Sequence, residues 1–516
     1  MALGSWSNAL MAGILAGGRA GSGPGGAPEG GVPAAGGRNG RAGLLAWTRL
    51  LDQAWLPFLA LGILPLAGFS PGGLQATVLA MEAIFLLMAV RNPLWVVGAL
   101  FLSEMTARNY MLPLGGLQIS NRLALTGIAV VVVLPFLSQP GVLSRRGRSV
   151  AFTAAAFAVV AAGATTMSGG PGSAAAFVRF MTSCGVTMLA VMVLVRGRRD
   201  LLRLGRVALT IGAASAALAV LQGLSVTGLA VVPHAGATVP FSGWGGRALG
   251  LSENPIYLTN DLGLVFLLLA GVLLARGLPR RSARWCLFLA ALMALALYLS
   301  LTRSWVMGAA AAALAMGMIL HGGIPRHLLV ALLAGGLIFV YVSGHVGGRY
   351  LGDDAEGSAA ARPVLWSTAI RLALDHPLFG IGFAQFMDVS QQLGGGPVAT
   401  PAHATLETRV LGRFDPHNDL LNIWVSFGTP ALALYLLLLA RVARCFTFAA
   451  RTLRDPALRG LAVGGAGALV AFVVNACFHN LFDSTLTLWF LAGLAVVLAD
   501  AAEDEARTAP GEVTAA

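Results

Sequence analysis

Histidine is the side chain best suited to take a proton near neutral pH, and His417 is the one whose place in this sequence invites that work. It opens the stretch His417-Asn418-Asp419-Leu420-Leu421-Asn422-Ile423-Trp424-Val425-Ser426-Phe427-Gly428, where a long polar segment enters an apolar one. Imidazole changes charge close to physiological pH, and a loop-to-span junction gives it both water and bilayer molecules, so general-base work fits the position. Asp415 and Asp419 flank it and would orient or polarise the ring. The plainer alternative is an interfacial histidine capping a helix, with Asn418 beside it.

Anion binding is the second chemistry on offer. Arg247 stands in Gly245-Gly246-Arg247-Ala248-Leu249-Gly250, ahead of Glu253-Asn254-Pro255, and Arg303 in Ser300-Leu301-Thr302-Arg303-Ser304-Trp305. An arginine at a span centre costs about 2.5–3.5 kcal/mol, so one kept near hydrocarbon calls for an anionic partner. Guanidinium forks suit pyrophosphate, whose oxygens accept paired charge-assisted bonds. Snorkelling of both arginines to lipid headgroups is the simpler possibility. Arg349, Arg362, Arg371, Arg409 and Arg413 lie in neighbouring polar segments. His479, in Cys477-Phe478-His479-Asn480-Leu481-Phe482-Asp483, would pair with the loop before His417 or simply anchor an interface. The pair Asp353-Asp354 has no third ligand at a suitable spacing, and Cys184, Cys286, Cys445 and Cys477 show no ligand or pairing pattern. Neither a metal nor another cofactor is expected.

Such groups must be positioned by a membrane bundle. Apolar residues make up 57% of the chain and charged residues 11%, about half the charge of an ordinary globular protein. The formal charge of +12 is spread in short arginine clusters between apolar stretches, with no aromatic-basic platform. No nucleic-acid partner follows from it. Stretches long enough to cross about 30 Å of hydrocarbon fall near 54–69, 74–90, 94–107, 122–138, 149–168, 174–195 and 205–232, then 256–275, 285–302, 304–320, 327–343, 418–440, 460–476 and 484–500. Because the third is short and the first two are close together, the expected fold is an all-α polytopic membrane protein of about 12–14 transmembrane helices.

Arginine clusters recur in alternate connections: Arg145, Arg146 and Arg148; Arg196, Arg198 and Arg199; Arg276, Arg280, Arg281 and Arg284; Arg441, Arg444, Arg451 and Arg454. Positive connections stay on the cytoplasmic side, so both termini are expected there. The outer side then receives 233–255, the turn at Arg303 and a long loop, 344–416, interrupted by a short helix from Arg362 to Asp375. Its apolar face, with Leu365, Trp366, Ala369 and Leu372, would lie on the membrane surface or against the bundle. The chain divides into a Gly/Ala/Pro-rich cytoplasmic tail expected to be disordered (1–43), N-terminal membrane helices (44–204), a core (205–500) and a second tail (501–516).

One family matches these marks. An outer His417-Asn418, nine residues and then Gly428 resemble the O-antigen ligase and polymerase family. Flanking marks agree: the Gly-Arg-Ala segment before Glu253-Asn254-Pro255, Thr302-Arg303-Ser304, and Arg362-Pro-Val-Leu-Trp366 leading to Asp375-His376-Pro377-Leu378-Phe379-Gly380-Ile381-Gly382-Phe383. The resemblance covers about residues 205 to 500. Three spans follow His417, as in that family. It implies metal-independent, inverting transfer of a glycan from undecaprenyl pyrophosphate to an acceptor hydroxyl, either lipid A core or a growing glycan, on the periplasmic face of the bacterial inner membrane. It further implies His417 as catalytic base, Arg247 and Arg303 as pyrophosphate ligands, and Arg362 and Arg371 as helpers; Asp415, Asn418 and His479 join them as helper candidates from their position alone. Glu253 and the two additional N-terminal spans depart from the family pattern.

Ligase and polymerase share this donor chemistry, so sequence does not separate them; a protein oligosaccharyltransferase fits less well, because no further domain follows residue 500. The reading from another class is a transporter, for which Glu82, Arg179, Asn260 and Asp261 are the intramembrane polar candidates.

Overall fold

The computed structural model of the protein describes residues 71–106, 111–114, 117–224, 247–321, 361–393, 411–412 and 414–508. The expected spans at 54–69 and 327–343 lie outside these residues, as do the 1–43 tail, Arg349, Asp353-Asp354, Arg409 and Arg413. The chain is an all-α polytopic membrane protein. Its elements are α1 (Pro71–Ala89), α2 (Leu94–Thr106), a ribbon of β1 (Met111–Leu114) and β2 (Leu117–Ser120), α3 (Asn121–Leu137), α4 (Arg145–Ser168), α5 (Gly170–Leu194) and α6 (Gly197–Gly223). There follow α7 (Pro255–Leu274), α8 (Arg280–Leu299), α9 (Arg303–His321), α10 (Ala361–Asp375), α11 (Phe386–Leu393), α12 (Asp419–Thr452), α13 (Pro456–Ala476) and α14 (Thr487–Thr508). Among the described residues, eight helices, α4 to α9, α12 and α13, are long and apolar enough to cross a membrane.

Polar caps set where these helices begin. The Ser144 hydroxyl accepts from Gly147 N at the start of α4, Asn254 Oδ1 accepts from Ile256 N ahead of Pro255, and Asp455 Oδ1 accepts from Ala457 N and Leu458 N ahead of Pro456. Each satisfies amide donors that the first helical turn leaves without partners. Small residues bring α7 and α13 together. A Cβ on Gly271 would sit 2.3 Å from Gly460 O, and one on Gly464 2.5 Å from Leu267 O. Backbones in lipid associate by close packing where side chains are absent.

Contacts sort the connections into two ends. At one end Arg146 pairs with Glu503, Arg198 with Asp455, and Arg454 N donates to Glu505. The opposite end gathers 247–254, 299–304, 376–385, 414–419 and 477–486 through the bonds described below. The alternate arginine clusters therefore stand apart from the histidines and from Arg247 and Arg303.

Two details differ from expectation. Most of the arginines assigned to inner connections are carried on helix ends: α4 begins at Arg145, α6 at Gly197 and α8 at Arg280, and α12 runs to Thr452. Hydropathy registers only the hydrocarbon-crossing part, whereas backbone hydrogen bonding continues into the headgroup layer. The long loop also holds a second helix, α11. The apolar face of α10 packs on the bundle rather than lying on the membrane surface, with Leu365 and Ala369 fully buried beside Val425, Ile381 and Phe386.

Candidate active site

The segment with Arg247 is built onto the α8–α9 turn. Arg247 Nε donates to Ser300 O and Nη2 to Thr302 Oγ1, both at 2.9 Å, while Ala248 N donates to Leu299 O. Leu301 inside that turn has φ 53°, a left-handed conformation that a bulky residue adopts only when neighbours enforce it. Arg303 follows as the first residue of α9. Behind Arg247, Gln222 Oε1 accepts from Leu249 N and Gly250 N. Gly250 itself has φ 56°, and a Cβ there would meet Ser215 Oγ at 2.5 Å.

His417 is held by its backbone. Trp366 Nε1 on α10 donates to Pro416 O at 2.9 Å, and Asn418 N donates to Asn480 Oδ1 at 3.1 Å. Between these anchors His417 takes φ 51°, a strained conformation of the kind that accumulates at functional sites. Asn418 is structural: its Oδ1 caps α12 by accepting from Leu421 N, and its Nδ2 donates to Cys477 O. Asp419 likewise turns away from His417. The carboxylate is buried and its Oδ1 accepts from Leu481 N at 2.7 Å and Phe482 N at 2.9 Å. Of the two flanking carboxylates, Asp415 is the one within electrostatic reach of His417.

Gly428 explains the spacing from His417. At φ 81° and ψ 176° it breaks α12. The freed carbonyls of Val425 and Ser426 accept from Ile381 N at 2.8 Å and Gly382 N at 2.9 Å, and Thr429 N donates to Pro377 O at 2.7 Å. A Cβ at 428 would lie 2.3 Å from Leu378 O. The Asp375-to-Phe383 motif is thus the strip that fills the break, fixing the loop helices against the segment that starts at His417. Gly428→Ala is expected to cost about 3 kcal/mol or more, from backbone strain and the clash together. Thermal melting of the detergent-purified variant by size-exclusion fluorescence checks this; an unshifted midpoint would contradict it.

The 477–486 segment joins the two halves. The Ser304 hydroxyl donates to Asn475 Oδ1 at 2.6 Å and lies 2.9 Å from His479 Nε2. With the serine's single proton given to Asn475, Nε2 of His479 donates and Nδ1 is left as an acceptor. Burial foremost, then the positive fields of Arg362, His417 and Arg247, push His479 down to about 3. Its ring stays neutral at physiological pH. Arg362, on α10, is pushed below its ordinary value by burial and by Arg303. Its Nη2 reaches Phe478 O, its guanidinium lies 5.6 Å from the Phe478 ring, and its Nε is buried without a partner. An orphaned buried donor in a positive cluster is what an absent anionic ligand would satisfy.

Arg247, Arg303, Arg362, His417, His479 and Asp415 are therefore linked in one electrostatic cluster. Arg371 does not join it: the side chain is 71% exposed and its nearest acidic neighbour is Asp375 at 4.0 Å. Burial raises Asp415, opposed by His417 and Asn480. Nearby Asp483 is raised to about 6, by burial first and then by Asp415. Of the polar groups considered for transport, Glu82, Asn260 and Asp261 are engaged within the bundle. Glu82 accepts from Asn121 Nδ2 at 2.9 and 3.0 Å, Asn260 Nδ2 donates to Thr487 Oγ1 at 2.7 Å, and Thr487 Oγ1 to Asp261 Oδ1 at 2.9 Å. Arg179 faces outward and bonds its own helix at Ala175 O.

Residues 288–436 match the family model described as O-antigen ligase. That stretch is similar to O-antigen ligase domains. No curated protein matches the chain. In general class the protein is an O-antigen ligase-like membrane glycosyltransferase. The ligase domain contains Arg303, Arg362, Asp415, His417 and the Gly428 break, whereas Arg247 and His479 reach the cluster from outside it. Sequence reasoning quoted Ser304 and Trp366 without the holding role they have here, and overlooked Asn475 beside Ser304 and Glu104 and Arg122, two charges on apolar helices. For the last two a signal was present, since an ionisable residue within a span calls for a partner.

A pH dependence follows. Burial first and Arg362 second lower His417, while Asp415 raises it. A base works in its neutral form, so with His417 as the base activity would be present above the folded pKa and lost as pH falls through it, below the ordinary value of 6.5. Arg362→Gln removes a neighbouring positive charge and is expected to move this acid limb upward; Asp415→Asn is expected to move it downward. Initial transfer rates between pH 4 and 8 test the pair, and limbs that stay fixed or move the same way would contradict the assignment.

Proposed function

We propose that the protein transfers a glycan from undecaprenyl pyrophosphate to an acceptor hydroxyl at the periplasmic face of the bacterial inner membrane, as an O-antigen ligase. The observation that carries the reading is the convergence of His417 with Arg247, Arg303 and Arg362 at the end of the bundle opposite the arginine-rich helix ends. Both termini then lie in the cytoplasm and the cluster faces the periplasm.

In the proposed step the acceptor oxygen attacks the anomeric carbon and forms the new C–O bond as the bond to pyrophosphate oxygen breaks. His417 takes the hydroxyl proton. The bonding electrons leave on undecaprenyl pyrophosphate, whose growing charge falls on Arg303 and Arg362. Arg247 holds the turn that aims Arg303 and adds its own field. Attack opposite the leaving group inverts the anomeric centre, and guanidiniums do the work often given to a metal. His479, neutral throughout, offers Nδ1 as an acceptor to a sugar or acceptor hydroxyl. Donor and acceptor lipids share the bilayer plane, so a fixed cluster at one bundle end converts two-dimensional encounters into aligned ones.

The test is the surface-glycan profile of a deletion strain, with and without the wild-type gene, resolved alongside carrier-linked glycan. Long chains lost from lipid A core and accumulating on the carrier are the expected result. Single-repeat products would assign the polymerase reaction of the same chemistry, and an unchanged profile would favour a transporter.

A further inference from the structure

The loop bearing His479 is gripped by charges from distant parts of the chain. Leu486 N donates to Glu104 Oε1 on α2 at 2.8 Å. Arg122 Nη2 on α3 donates to Ser484 O at 3.0 Å and to Glu104 Oε2 at 3.1 Å, the two side chains being 13% and 2% exposed. A few residues earlier in the loop, Leu481 N and Phe482 N donate to Asp419 Oδ1. The backbone of 481–486 is thus fastened to α12 on one side and to α2 and α3 on the other, with His479 just ahead of it. Asn480, directly ahead of the segment, receives the amide of Asn418 beside His417.

A buried ion pair is a poor source of net stability, because desolvation offsets the attraction. Its geometric effect is large, since both charges are already committed to one backbone conformation. From this we infer that Glu104 and Arg122 are positioning residues: through segment 481–486 they fix His479 near His417 and against Ser304, the residue after Arg303. The inference rests on the reading of those residues as the transfer site, and it makes the helices preceding the ligase domain part of the site's scaffold. Neither side chain touches the reacting groups, so their effect is on placement and not on proton affinity.

The full-length protein in lipid nanodiscs provides the test, with hydrogen exchange of the 481–486 peptide and steady-state glycan transfer measured on the same sample. Glu104→Ala is expected to speed exchange in that peptide about tenfold and to lower kcat about 10- to 100-fold with donor KM little changed. Glu104→Gln keeps an oxygen for Leu486 N and is expected to recover most of kcat and the slow exchange. A merely structural residue would lower the amount of active protein without this kcat-specific loss and amide-specific rescue. Should Glu104→Ala fail to insert, Glu104→Ala/Arg122→Met leaves no unpaired buried charge and is expected to show the same two changes. Wild-type exchange in 481–486, or fast exchange with unaltered kcat, would overturn the inference. His417→Ala in the same assay keeps the questions apart: retained transfer there would refute the site, whereas the exchange data would still decide whether the grip exists.

Discussion

His417→Ala is expected to lower glycan transfer by about 10²- to 10⁴-fold, the range that a positioned general base supplies. The acceptor hydroxyl must lose its proton as the new bond forms, and within the cluster His417 is the neutral base that burial and Arg362 keep deprotonated at working pH. His479 does not replace it, being pushed too far down, to about 3, to hold a proton afterwards. Alanine also disturbs the backbone, because residue 417 sits at φ 51°. His417→Asn separates the two effects, as asparagine tolerates the left-handed region but is no base. Both variants should insert and run as wild type on size exclusion, and both should accumulate carrier-linked glycan. Transfer by the asparagine variant within about tenfold of wild type would remove His417 from the chemistry.

Arg303→Ala is expected to cost about 10²- to 10³-fold in transfer, comparable to removing one preorganised group that stabilises transition-state charge. The leaving pyrophosphate gains its charge in the transition state, so the loss should fall mainly on kcat. Arg303→Lys restores the charge but not the planar fork, and is expected to recover only part of the rate. Were Arg303 merely reaching for lipid headgroups, lysine would serve equally well. Transfer measured with purified carrier-linked glycan distinguishes these outcomes: full activity of the lysine variant would leave Arg303 an anchor. The orphaned Nε of Arg362 gives that neighbour the capacity to compensate in part, so Arg303→Ala/Arg362→Ala should lose more than either single change.

Much of the architecture was legible because its cause is one-dimensional. Crossing hydrocarbon requires a run of apolar residues, and the expected 256–275 and 304–320 match α7 and α9 to within one residue at each end, while 285–302 overlaps most of α8. The short helix at 362–375 was visible in its apolar spacing. Helix α11 was not read, for although Phe386, Val389 and Leu393 are spaced as on one helix face, eight residues are too few for that period to stand out along the chain. Helix ends beyond the membrane were missed for a related reason, since hydropathy falls at the headgroups while the helix continues.

For the site, residue type and spacing singled out His417, Arg247 and Arg303 as candidates, because few side chains act as base or bidentate cation in an otherwise apolar chain. Sequence placed His417 and Gly428 in one motif, but only the broken α12, with the 377–382 strip filling it, gave that spacing its reason. Tertiary structure alone selected among the helpers. It drew Arg362 and His479 into the cluster, set Arg371 outside it, and turned Asp419 to the loop while leaving Asp415 near the histidine. Such choices depend on distances between segments hundreds of residues apart, such as the Glu104 carboxylate on the amide of Leu486. Hydrogen bonds of that separation leave no periodic trace along the chain, because each is decided by how whole helices pack.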